Sequence, residues 1–120
     1  MYKYNATLVK VIDGDTVDAI IDLGFKVSIR ERIRLWKIDA PEIRSKNNNE
    51  KTLGKLAKKR LKELLSKKKG KFKLISHGFG KFGRCLGEIY VNNRNINNLL
   101  LKEGLVKKYG DQSDDANNKV

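Results

Sequence analysis

The chain opens on alternating apolar and polar positions, a period of two that suits half-buried strands rather than helices. Leu8, Val9, Val11 and Ile12 mark a strand over Ala6–Ile12 that stops at Asp13-Gly14-Asp15, a strong turn signal. Thr16–Leu23 then sets Val17, Ala19, Ile21 and Leu23 on one face, and Gly24 starts a return. Lys26–Ile38 places Ile29, Ile33 and Leu35 on one side and Arg30, Arg32 and Arg34 on the other. Three strands joined by short turns predict an antiparallel meander. Pro41 ends the run, because its ring fixes φ and holds the preceding residue out of the helical region.

After the polar stretch Ser45–Asn49 the period changes. Leu53, Leu56, Ala57, Leu61, Leu64 and Leu65 recur at helical spacing with lysines between them, Asn49 or a neighbour can cap the start, and Gly70 ends the helix. Lys71–Ser76 and Cys85–Val91 read as a fourth and fifth strand. The glycine-rich loop between them, His77–Gly83, lacks the Gly-Lys-Ser/Thr ending of a phosphate loop. Ile96, Leu99, Leu100 and Leu101 begin a second helix that stops near Gly104. Five short strands with a helix after the third fit an α+β, mainly β fold: a five-stranded OB-fold barrel with two or three helices. A general α+β sandwich has the same element order. One domain is expected over residues 1–110, with 111–120 a polar, flexible tail.

Charge narrows the partners. The 27 Lys and Arg outnumber the 14 Asp and Glu, for a net charge of +13, which favours an anionic partner such as nucleic acid or a membrane surface. No run approaches the roughly 20 apolar residues a membrane span needs, and Met1–Tyr4 does not resemble a signal peptide. Richness in Lys, Asn and Ile hints at an AT-rich bacterial, phage or plasmid genome, and action inside the cell is favoured over secretion unless a leader was removed, with the localisation itself unknown from the sequence. With Cys85 and His77 the only residues of their kinds, a Cys/His zinc site is excluded, so any metal must be held by oxygen.

Four carboxylates stand out. Asp13 and Asp15 flank Gly14, Asp39 and Glu42 flank Ala40-Pro41, and a meander would bring both pairs to one rim. Clustered carboxylates repel, and a hard cation relieves them, although Asp-Gly and Asp-x-Pro are also ordinary turn formers. Arg34 precedes Asp39 on the third strand and Arg84 opens the fifth. Two guanidinium groups can grip the oxygens of a phosphodiester while a carboxylate handles water. In the same positions Arg34 could be a surface strand residue and Arg84 a loop charge.

Val11–Val17, Ile33–Glu42 and Lys81–Arg84, in this order and spacing, resemble the three signatures of the staphylococcal nuclease (thermonuclease) family, over about Ala6 to Tyr109. The resemblance implies calcium held by Asp15, Asp39 and the carbonyl of Ala40, with Asp13 just outside. It implies Glu42 as general base, and Arg34 and Arg84 as the clamp on the scissile phosphate. Lys81 and Phe82 would meet substrate, Phe82 standing where the namesake has a tyrosine, and Tyr109 falls near another such tyrosine. The implied reaction is hydrolysis of DNA or RNA to leave 3′-phosphates, by a monomer without membrane partners. The alternative reading is a non-catalytic OB-fold module that binds nucleic acid; a basic scaffold protein is a third.

Overall fold

The computed structural model describes residues 2–109, so the expected tail at 111–120 lies outside the described residues. The chain runs β1 (Tyr2–Asp13), β2 (Thr16–Gly24), β3 (Val27–Leu35), β4 (Ile38–Asp39), α1 (Asn48–Ser66), β5 (Lys71–Phe79), a 3-10 turn (Lys81–Gly83), β6 (Cys85–Val91), β7 (Arg94–Asn95), α2 (Ile96–Lys102) and β8 (Lys107–Lys108). The expected meander forms: β1 pairs antiparallel with β2, and β2 with β3. β5 pairs with both β1 and β6, and a parallel pairing of β3 with β6 closes five strands into a barrel. Together with the two α-helices this is the OB-type α+β fold.

The interior follows the period-two pattern at the middle of each strand. Val17, Ala19, Ile33, Leu35, Leu74 and Ile89 are fully buried, and Cys85 packs among them. Each large side chain of this kind contributes about 1.5–3 kcal/mol through removal from water. The pattern fails towards the β2–β3 hairpin tip. Leu23 and Ile29, expected on the core face, are exposed, as are Phe25 and Val27, because this hairpin runs on past the barrel wall.

Helix α1 starts at Asn47, whose side-chain oxygen accepts from the backbone N–H groups of Asn49 and Glu50. It closes the barrel with Ala57, Leu61, Leu64 and Leu65. Leu53 and Leu56 do not join them and are half exposed. Gly54 takes the inward position instead, since a Cβ there would stand 2.6 Å from the carbonyl oxygen of Pro41. The helix is thereby pressed onto the segment after β4, and this contact fixes the rim where the acidic residues converge.

Candidate active site

The rim is built first from the β1–β2 turn. Gly14 allows it to sit under α1: a Cβ there would meet that of Ala57 at 2.6 Å and that of Ala40 at 3.0 Å. Asp15 is buried and held on three sides. Its Oδ1 accepts from the Thr16 hydroxyl at 2.8 Å, its Oδ2 accepts from the Ala40 N–H at 2.7 Å, and its carbonyl accepts from the Leu35 N–H at 2.7 Å. Asp15 thus ties the first turn through its backbone carbonyl to the end of β3 and through its carboxylate to Ala40, just after β4.

Arg34 lies on the face of β3 that alternation assigns to solvent, yet it is only 6% exposed. Its Nη1 donates to the Ile38 carbonyl at 2.8 Å and stands 3.2 Å from Asp15 Oδ2, while Nη2 donates to Asp39 Oδ1 at 3.2 Å. The Tyr109 ring lies 5.4 Å from the guanidinium carbon, a cation–π distance. Tyr109 is positioned because its N–H donates to the Lys37 carbonyl, next to the β4–β8 pairing of Asp39 with Lys107. Removing one member of a buried, hydrogen-bonded ion pair costs about 3–5 kcal/mol, so Arg34 holds the rim together as well as charging it.

Burial, more than charge, acts on the acids of this rim. Burial pushes the Asp13 carboxyl above its ordinary value, and the charge of Asp15 adds to this, against the pull of Arg34, Lys58 and Arg44. Asp13 Oδ1 is buried with no hydrogen-bond partner. Burial also raises Asp39, with Arg34 opposing and Asp15 reinforcing. Carboxylates gathered at one rim, one of them with an orphaned oxygen, suit a hard cation bound by oxygen. Asp15, Asp39 and the Ala40 carbonyl are therefore a donor set of the right chemistry. Among the described residues, no three acidic, His or Cys side chains converge as a ready metal cluster, so backbone oxygen and solvent would have to complete the shell.

The other expected residues lie on segments beside those of the cluster. Glu42 is exposed and shares a groove of about 440 Å³ with Asp13, Arg32, Arg44 and Lys58. Arg84 is half-buried at the start of β6. In the parallel register Arg34 pairs with Leu86, and Arg84 lies two residues back, in extended backbone just before β6. Strand spacing and rise put the two Cα atoms roughly 8 Å apart. Arg84 Nε is buried without a hydrogen-bond partner, and its guanidinium lies 5.7 Å from the Phe82 ring. Lys81 and Phe82 are exposed on the 3-10 turn, Phe82 at a φ of 64°, a left-handed conformation unusual for a bulky residue.

Two supports went unread in the sequence. Asn97, buried on α2, accepts from the Ile89 N–H and donates to the carbonyls of Trp36 and Gly87. Its signal was a polar residue beside Ile96 on an apolar helix face. His77, expected as a loop or edge-strand side chain, stacks on Trp36 at 3.6 Å and bonds Glu88 at 2.5 Å, joining the end of β3 to the β5–β6 hairpin that carries Arg84. No helix among the described residues is long and apolar enough to cross a membrane.

The sequence matches known proteins in the same region. A family model described as "Staphylococcal nuclease homologue" matches residues 32–120. "Endonuclease YncB" of Bacillus subtilis is 35% identical over 106 residues, covering 86% of this chain and 47% of that protein. "Thermonuclease" of Staphylococcus intermedius is 34% identical over 98 residues, 82% of this chain and 55% of its own length. An "Uncharacterized endonuclease" of Haemophilus influenzae is 30% identical over 113 residues, 94% of this chain and 57% of its own. The chain thus spans about half the length of the curated relatives it matches. With three quarters of its residues inside the family match and the Asp15–Arg34–Asp39 rim in place, the chain belongs to the staphylococcal nuclease family.

Proposed function

We propose that this chain is a calcium-dependent nuclease that hydrolyses phosphodiester bonds of DNA or RNA and leaves 3′-phosphates. The observation that carries the reading is the rim itself: Asp15 and Asp39 brought to one guanidinium, on a chain of net charge +13. The endonuclease and thermonuclease names of the relatives point the same way.

Asp15, Asp39 and the Ala40 carbonyl would hold the calcium, which would supply charge neutralisation and polarise a phosphate oxygen. The chain's own residues do the rest. Arg34 on β3 and Arg84 just before the neighbouring β6 would grip the phosphate oxygens where negative charge gathers as water attacks. Glu42, exposed beside the rim, would orient that water and accept its proton. Lys81, Phe82 and Tyr109 would flank the nucleotide, Phe82 by stacking alone because it has no hydroxyl.

A second reading, a nucleic-acid-binding barrel without catalysis, draws on one feature: Arg34 spends its donors on Asp15, Asp39 and the Ile38 carbonyl. Digestion of single-stranded DNA with calcium, with magnesium and with a chelator separates the two, using Arg84→Ala as the control for contaminating nuclease. Calcium-dependent cutting that disappears in both the chelator and the variant is expected. Binding without cutting under every condition would leave only the barrel.

A further inference from the structure

We propose that a basic groove between β1 and α1 is a second polynucleotide-binding surface, which carries the strand away from the catalytic rim. This rests on the reading of that rim as a nucleic-acid site, and adds a track to it.

Two grooves meet there. One, of about 590 Å³, runs between β1 and α1 past Val9, Lys10, Lys58, Lys59 and Lys62. The other, of about 440 Å³, shares Lys10 and Lys58 and reaches Asp13 and Glu42, adding Arg32 and Arg44. The two grooves share Lys10 and Lys58, so the path from the rim to Lys62 is lined by six cations, of which Arg32 is already forked onto Asp18, against the carboxylates Asp13, Glu42 and Glu63.

The placement follows from the helix. Lys58 and Lys62 are four residues apart and so lie on one face, about 6 Å apart along the axis, with Lys59 and Lys62 neighbours on the adjoining row. Among the described residues none of Lys10, Lys58, Lys59 and Lys62 forms a salt bridge, whereas Arg60 on the same helix is paired with Glu63 and Glu103. The half-exposed Val9 gives the floor an apolar strip. Uncommitted ammonium groups above an apolar floor suit a flexible single strand, with phosphates on the lysines and sugar or base edges below.

The test compares Lys59→Gln/Lys62→Gln, at the far end of the track, with Lys68→Gln/Lys71→Gln, which removes the same charge from outside it. Binding of labelled thymidine 20-mer and 3-mer is followed by fluorescence anisotropy in chelator. The first variant is expected to bind the 20-mer several-fold more weakly and to leave the 3-mer unchanged. Its plot of log affinity against log salt should flatten by about 1.4, at about 0.7 for each single-strand phosphate that no longer meets a lysine. The second variant should bind both oligomers like the parent. Equal weakening in the two variants, or undiminished 20-mer binding in the first, would overturn the track. Cleavage is read separately in calcium, so a protein that never cuts refutes the nuclease reading without touching this comparison.

Discussion

At the residue scale, Arg34 and Glu42 invite opposite expectations. Arg34→Ala leaves Asp15 buried without its guanidinium, beside an Asp13 that keeps only the pull of Lys58 and Arg44. A stability loss of about 3–5 kcal/mol is expected, measured as a lower urea midpoint. Glu42 is exposed and bonds little, so Glu42→Gln should leave stability unchanged. Single-turnover cleavage by that variant should fall about 10²–10⁴-fold while oligonucleotide affinity holds. Near-parental turnover would remove Glu42 from the proton-transfer role. Both residues were visible in the sequence as chemistry, but their burial was not. Arg30, Arg32 and Arg34 alternate identically, and only the third is covered, by the β4–β8 ribbon and Tyr109. Nothing in a period of two says which end of a strand will be roofed over.

At the element scale, α1 is placed by what its glycine lacks. Replacing an interior helical Gly by Ala ordinarily gains up to about 1 kcal/mol in propensity. Gly54→Ala should do the reverse, since its methyl group would stand 2.6 Å from the Pro41 carbonyl oxygen. A lower thermal midpoint and weaker activity are expected together, because the displaced segment carries Ala40 and Glu42. The β2–β3 pairing makes a separate prediction. The Arg32 fork, with a smaller contribution from Arg30, holds the Asp18 carboxyl below its ordinary value. The stability this contributes is present above about pH 4, the ordinary value, and is lost as pH falls through the lowered one. Urea midpoints of the parent and Asp18→Asn should therefore differ most near neutrality and converge below about pH 4. Strands and helices were legible to within a few residues wherever their interiors met the core. They were misread at the ends: Leu23 and Ile29 keep a strand's alternation beyond the barrel, and Leu53 and Leu56 keep a helix's spacing over nothing. Pattern records which positions could be buried, and packing decides which are.

At the scale of the whole molecule, the rim gathers Asp13, Asp15 and Asp39 on a chain of net charge +13, and a cation bound there should report on the fold. Calcium at a hundredfold excess over its dissociation constant would add about 2.7 kcal/mol, raising the thermal midpoint. Asp39→Asn should abolish that increment, and an unchanged midpoint in calcium for the parent would remove this ion from the rim. The three-strand meander was readable because its pairings are local in sequence. The barrel was expected from the order of five strands and a helix, but the pair of strands that closes it was not, because the parallel pairing of β3 with β6 joins Ile33 to Cys85, about fifty residues away, and leaves no mark on either strand.

That seam also has a timetable. Joining segments so far apart costs about 3.5 kcal/mol of loop entropy beyond a constant, and no nearby pairing offsets it early. Barrels assembled through such distant pairings fold in milliseconds to seconds rather than microseconds. During synthesis at about 5–20 residues per second, the backbone of Ile33–Leu35 waits several seconds for β6 to leave the ribosome. Through that interval the Arg34 strand is an open edge, and it is then that the nascent chain is most exposed to mispairing.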